Sequence, residues 1–186
     1  MNNADETVAS MKTFKAKRAR ANFCEPAMCE ELYIADAEGV VYSVIADYTF
    51  DGWATWRIFY NDINHYGYEL FLKEDLQYVL GEGDCVLNDG ASIHLVGSTL
   101  ELLHKITNGM YITGASYSHD LFPVERGFAN VWGYIRSKWD PGAGLSPTDL
   151  INKAFTKYSV LGEWGYKANE HWNIYKNNHQ LFLQNL

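Results

Sequence analysis

The chain has 186 residues, 47% of them hydrophobic and 15% aromatic, which is enough apolar side chain for one sizeable core and too much for wholesale disorder. Mean hydropathy is -0.26, no run reaches the roughly 18 apolar residues of a membrane-crossing helix, and residues 1–20 lack the apolar stretch of a secretory signal. The formal net charge is -8, and three cysteines without framework spacing, Cys24, Cys29 and Cys85, point to a reducing compartment and a cytoplasmic protein.

Residues 1–22 read as a polar, then basic arm, in which Lys12, Lys15, Lys17, Arg18 and Arg20 outnumber Asp5 and Glu6. Its expected contact is with acidic surface, either the middle of the same chain or a second copy, so a homo-oligomer held through the arm is one expectation. Residues 23–186 read as a single domain, mainly strands over 23–117 and mainly helices over 120–186.

Pro26 breaks residues 23–30. Residues 31–36 and 40–48 then flank Ala37-Glu38-Gly39 as a hairpin, with the second arm rich in β-branched and aromatic side chains. Asp51-Gly52 is a turn signal. Residues 53–60 alternate large apolar groups on both faces, as in a strand covered on both sides. Residues 65–72 read as a further strand, and 73–80 as a short helix closed by Gly81. Short strands are expected at 85–87 and 91–96. Ser98 and Glu101 have capping-box spacing for a helix to about Thr107, and a strand follows over 110–117.

In the last third, Pro123 suits a first helical turn, and Val124, Phe128, Val131, Trp132, Ile135 and Trp139 recur at helical spacing. Ser146-Pro147-Thr148-Asp149 combines an N-cap, a first-position proline and an early acid. A last helix spans about 167–184, with Trp172, Tyr175, His179 and Phe182 on one seam. Strands first and helices last predict an α+β fold: an antiparallel sheet of about five strands in the N-terminal two-thirds, packed with three C-terminal helices.

Motifs that carry chemistry are weak. Ser118-His119-Asp120 has triad composition, but sequence neighbours cannot flank a single imidazole, and Asp120 reads as a helix cap. Cys24 and Cys29 form one loose pair where structural zinc needs four ligands. Residues 141–144 lack the lysine and hydroxyl of a phosphate loop, and residues 81–90 lack the alternating carboxylates of a calcium loop. No catalytic, cofactor-binding or metal-ligating residue is assigned, and no cofactor is expected.

Charge patterning is the remaining signal. Residues 21–103 hold fifteen acids against two strong bases, Arg57 and Lys73, which should repel nucleic acid and anionic membrane and attract basic surfaces. The expectation is a non-catalytic acidic antagonist of anti-defence or immunity type. It would bind the basic surface of a nuclease, a restriction or CRISPR effector or a toxin, as a DNA mimic or inhibitor, with no direct nucleic-acid or membrane contact. Its binding edge would be the densest acidic run: Glu69, Glu74, Asp75, Glu82, Asp84 and Asp89. One alternative is an assembly or virion-type structural protein that uses the arm. The other is a small carboxylate-based hydrolase or carbohydrate-binding protein, drawing on Asp47, Asp51, Asp62 and Glu69 among the nearby tyrosines and tryptophans.

Overall fold

Tyr42–Thr49 is covered on both faces and paired along both edges, and Ser43 through Tyr48 are all buried. The computed structural model describes residues 2–9, 42–60, 62–114, 122–140 and 144–184, with backbone alone at 2–9 and 178–184. The sheet has the order β3-β2-β1-β4-β5. Its strands are β1 (Asn2–Ala9), β2 (Tyr42–Thr49), β3 (Gly52–Tyr60), β4 (Val86–Asn88) and β5 (Tyr111–Thr113). β1 and β3 pair antiparallel with β2, whereas β4 is parallel to β1 and β5 is parallel to β4. Gly52 closes the β2–β3 turn at a φ of 125°, and a Cβ there would lie 2.5 Å from the Tyr158 carbonyl oxygen, so only glycine fits.

The parity of β2 divides the core. Val44, Ala46 and Tyr48 face one layer of helices, and Ile45 faces the other. On the Ile45 side lies α1 (His65–Phe71), which continues through a π-helical turn at Leu72–Leu76 and a last turn at Gln77–Val79. It is joined there by α2 (Gly97–Thr107), which ends at Asn108 in the left-handed region. Tyr68, Phe71, Leu72, Leu76, Val86 and Leu103 fill this side. The Ala46 side holds α3 (Pro123–Lys138), α4 (Pro147–Lys157) and α5 (Lys167–Gln184), packed through Trp53, Phe128, Ile135, Phe155 and Trp172. Ser146 caps α4 by accepting from the Asp149 amide at 3.1 Å.

The protein is thus mixed helix and strand, but the sheet is not antiparallel throughout. The main cause is residues 65–72, which read as a strand and form a helix. Their aromatic content suits either state, and the deciding contact is the Asn64 cap, whose side chain accepts from Gly67 N at 3.1 Å. With helices between β3 and β4 and between β4 and β5, parallel crossovers replace hairpins. The strand expected at 91–96 is a run of turns. The Ser98 capping box does not form, because Val96 is the N-cap and Ser98 Oγ donates to Glu69 instead, at 2.6 Å. Residues 2–9 of the expected arm are β1, in the middle of the sheet. The rest of the arm, the strand expected at 31–36, Cys24, Cys29 and Ser118-His119-Asp120 lie outside the described residues.

Gly127 lets α3 settle onto the sheet. A Cβ there would stand 2.8 Å from Trp53 Cζ2 and 2.9 Å from Tyr48 Cε2. Gly127→Ala is expected to cost about 1–3 kcal/mol by overpacking. Gly133 on the same helix has nothing within 4 Å of such a Cβ, so Gly133→Ala should be neutral or stabilising by up to about 1 kcal/mol through helix propensity. Urea midpoints of the two variants check the contrast. Equal shifts would contradict it.

Candidate active site

Strand register brings together acids that are far apart in sequence. In the parallel pair, Asn2 lies beside Val86 and Asn3 beside Leu87. Continuing that register by two places sets Asp89, just past the carboxyl end of β4, level with Asp5 in the middle of β1. Position 5 pairs on its other side with Ala46, which lines the α3–α5 core, and Leu87 lines the same core. Both acids therefore occupy register positions on the sheet face that α3 covers. Here β1 has an antiparallel neighbour on one side and a parallel neighbour on the other. Crevices at the carboxyl ends of strands, where the topology switches in this way, are the usual ligand sites of open sheets.

A third acid stands in the first turn of α3, which starts near the end of β4. Gly114 N donates to the Asn88 carbonyl at 2.7 Å, and the Phe122 ring lies against Gly114, so α3 begins beside the residue that precedes Asp89. Pro123, Val124 and Phe128 are buried and anchor the first turns, and half-buried Glu125 sits in the first turn. A carboxylate there is favoured by the partial positive charge of the helix N-terminus. The Asp89 carboxylate is itself held: its Oδ1 accepts from Ala91 N at 2.9 Å and from His94 Nδ1 at 2.8 Å.

The acidic run expected to bind a basic partner does not form one free edge. Glu69 accepts from Ser98 at 2.6 Å and from Thr99 at 3.3 Å, and these bonds hold its carboxyl below the usual range. Asp75 pairs with Arg57 at 2.5 Å, and Asp84 accepts from Gly81 N at 2.9 Å. Glu74 and Glu82 are exposed, and Asp89 belongs to the strand-end cluster. The acids suggested for a hydrolase are also dispersed. Asp51 and Asp62 are exposed, Glu69 is tied to α2, and Asp47 is sealed in the core.

Asp47 makes a pH prediction. Neither of its oxygens has a hydrogen-bond partner among the described residues, and burial pushes its carboxyl up from 3.8 to about 7. Between those values the folded chain keeps a proton that the unfolded chain has released. Stability therefore falls as pH rises through that window, by up to about 1.4 kcal/mol per unit, and levels off above it. Asp47→Asn removes this contribution. The variant should gain on the wild type between about pH 5 and about pH 7 when unfolding by urea is compared. A difference that is flat or reversed across that interval contradicts the assignment.

The sheet also separates charge. Apart from Asp89, residues 62–107, whose helices lie on the Ile45 side, carry seven acids against two bases. Residues 122–184, on the Ala46 side, carry seven bases against five acids, so a polyanion meets far less repulsion on the layer that covers the acid cluster.

Carboxylates are hard oxygen donors of the kind that hold magnesium or manganese. Among the described residues no group of three or more His, Cys, Asp or Glu is already arranged around a metal position. Position 5 is set level with Asp89 by backbone register, and Glu125 lies in the first turn of α3.

No protein-family model matches the chain, and no curated protein sequence matches it. Solved structures do match. A Mos1 mariner paired end complex with Mn aligns at a TM-score of 0.64 and 15% identity, covering 91% of this chain and 51% of that one. A pre-cleavage Mos1 transpososome aligns at 0.61 and 15%, covering 94% and 54%. The isolated catalytic domain of Mos1 mariner transposase aligns at 0.57 and 14%, covering 92% and 78%. The chain shares its fold with the Mos1 catalytic domain. At this identity the likeness is one of fold, and the chain spans about half the length of the Mos1 chains in the assembled complexes.

The Mos1 likeness overturns the non-catalytic antagonist, and with it the DNA-mimic, inhibitor and anti-defence readings. The matched structures include the catalytic domain of Mos1 mariner transposase and a Mos1 transposase paired-end complex with left transposon end. It equally overturns the expectation of a partner that is only a basic protein surface, with no direct nucleic acid. Of the residues in the cluster, sequence reasoning assigned Asp5 to an arm, counted Asp89 into a charge run and did not single out Glu125. Two local signals were present: a short apolar run ending in an acid, Val86-Leu87-Asn88-Asp89, and an acid two places after a helix-starting proline, Pro123-Val124-Glu125.

Proposed function

We propose that the chain is a divalent-metal-dependent domain of transposase type that cuts or joins nucleic-acid strands, with Asp5, Asp89 and Glu125 as its catalytic residues. The observation that carries this reading is the parallel register of β1 and β4, which sets position 5 of the central strand level with Asp89 at the end of β4, on the face that α3 covers. The fold supports it. Mos1 structures of the same fold hold Mn or Mg, and one is a strand transfer complex.

The three carboxylates would hold the cation, which when bound activates the attacking oxygen and stabilises the leaving oxygen of an in-line displacement at phosphorus. The chain's own groups have the other tasks. Asp89 is fixed by its two N–H donors, and Glu125 is carried on a helix anchored by Val124 and Phe128. The bases of the α3–α5 layer draw the polyanion toward this face. In the reaction one O–P bond forms from water or a strand-terminal hydroxyl as the P–O bond to the departing strand breaks, and the departing oxygen takes a proton.

Nicking of supercoiled plasmid tests the proposal without requiring a specific sequence. The purified chain should nick in manganese and stop on chelation. Plasmid left intact in manganese by folded protein that also fails to bind DNA would contradict it.

A further inference from the structure

Asp89 follows β4 directly, and an acid at a strand end would ordinarily swing freely about its side-chain torsions. Here the residue before it and its own carboxylate are both held. Asn88 accepts from Gly114 N through its carbonyl at 2.7 Å and from the buried Tyr68 hydroxyl through Oδ1 at 3.0 Å. One residue on, Asp89 Oδ1 takes Ala91 N at 2.9 Å and His94 Nδ1 at 2.8 Å. A carboxylate only accepts, so His94 Nδ1 carries the hydrogen, and the bond sets the imidazole's orientation. His94 is 1% exposed, its ring centroid is 4.4 Å from that of Tyr68, and its own amide donates to the Ala91 carbonyl at 3.0 Å. A buried ring packed at a tilt against Tyr68, on a tight turn, is a rigid donor.

We infer that His94 is a positioning residue: through its Nδ1–H bond to Oδ1 it fixes the plane of the Asp89 carboxylate for a divalent cation. The inference rests on the function proposed above and adds a residue to it. Groups that orient metal-binding carboxylates from behind typically change metal affinity by about 10–100-fold when removed. A loop staple with no such role would change only stability.

The test is manganese binding by the full chain, followed by the spin-resonance signal of free Mn2+, with melting curves recorded alongside. Asp89→Asn should abolish binding. His94→Leu should weaken it by about 10-fold or more, and His94→Asn, which keeps a donor, should recover much of the loss. In the wild type, the His94 Nδ1–H proton resonance should broaden with the first additions of Mn2+ and stay sharp in Asp89→Asn. A cooperatively melting His94→Leu that binds Mn2+ like the wild type overturns the role of His94 alone. Should that variant fail to fold, a wild-type resonance that stays sharp overturns it, as does a His94→Asn chain that binds no better than Asp89→Asn. A wild type that takes up no Mn2+ removes the proposed function and this role together.

Discussion

Asp89→Asn is expected to abolish the proposed manganese-dependent nicking while the chain still folds. The substitution keeps the size of the side chain and an oxygen for Ala91 and His94, but removes the negative charge from the strand end. Metal-borne charge stabilisation contributes several kcal/mol to phosphoryl displacement. At about 1.4 kcal/mol per tenfold, the expected loss is on the order of 10³-fold in rate. Glu125→Gln should fall in the same direction. Glu74→Gln and Glu82→Gln, from the acidic run on the other layer, should leave nicking unchanged. Rates from single-turnover plasmid assays decide this. A pattern in which Glu74 and Glu82 matter and Asp89 does not would return the acidic run to the centre of the account.

Trp53→Ala carries the largest expected effect on stability, about 3–5 kcal/mol. Trp53 is wholly buried, and its ring centroid lies 4.5 Å from Tyr48, 4.8 Å from Phe128 and 4.9 Å from Phe155. One side chain therefore joins β2, α3 and α4, and no single neighbour can close the space it leaves. Its backbone also bonds the turn after α4, with its amide donating to the Tyr158 carbonyl and its carbonyl accepting from Val160 N, both at 3.1 Å. For a chain of this size the melting temperature should drop by about 6–20 °C. Calorimetry checks it. A drop of only a degree or two would mean that the three elements do not meet on this ring.

The parts of the fold legible in the sequence are those whose own residues decide their state. Ser146, Pro147 and Asp149 start α4 whatever surrounds them, and Val124, Phe128, Val131 and Ile135 trace the buried stripe of α3. Asp51-Gly52 fixes the β2–β3 turn because only glycine tolerates its φ of 125°. β1 is the opposite case. Asn2–Ala9 is mostly polar and has no alternation to read, and its state comes from β2 and β4 on either side. His65–Phe71 misled for a related reason, since Tyr68 and Phe71 suit a strand as well as a helix until the Asn64 cap is seen.

The site was hidden by the same dependence. Asp5, Asp89 and Glu125 come from a central strand, a strand end and a helix start, and only the pairing register relates the first two. Counting charge along the chain placed Asp89 with Glu74 and Glu82. Folding instead sets the sheet between the acidic layer of α1 and α2 and the more basic layer of α3, α4 and α5. A run of acids in sequence became a divided surface, and its one member at the strand end acquired different neighbours.

The central claim is that these three acids share one cation. A crystal of the chain soaked in manganese tests it most directly, because anomalous scattering locates the metal without assuming a ligand. The account predicts a peak beside the middle of β1 and the carboxyl end of β4, with Asp5 and Asp89 as ligands and Glu125 on the same cation or on a second one beside it. Manganese bound only among Glu69, Glu74 and Glu82, or a strand end that stays empty with Asp5 and Asp89 turned apart, would contradict it.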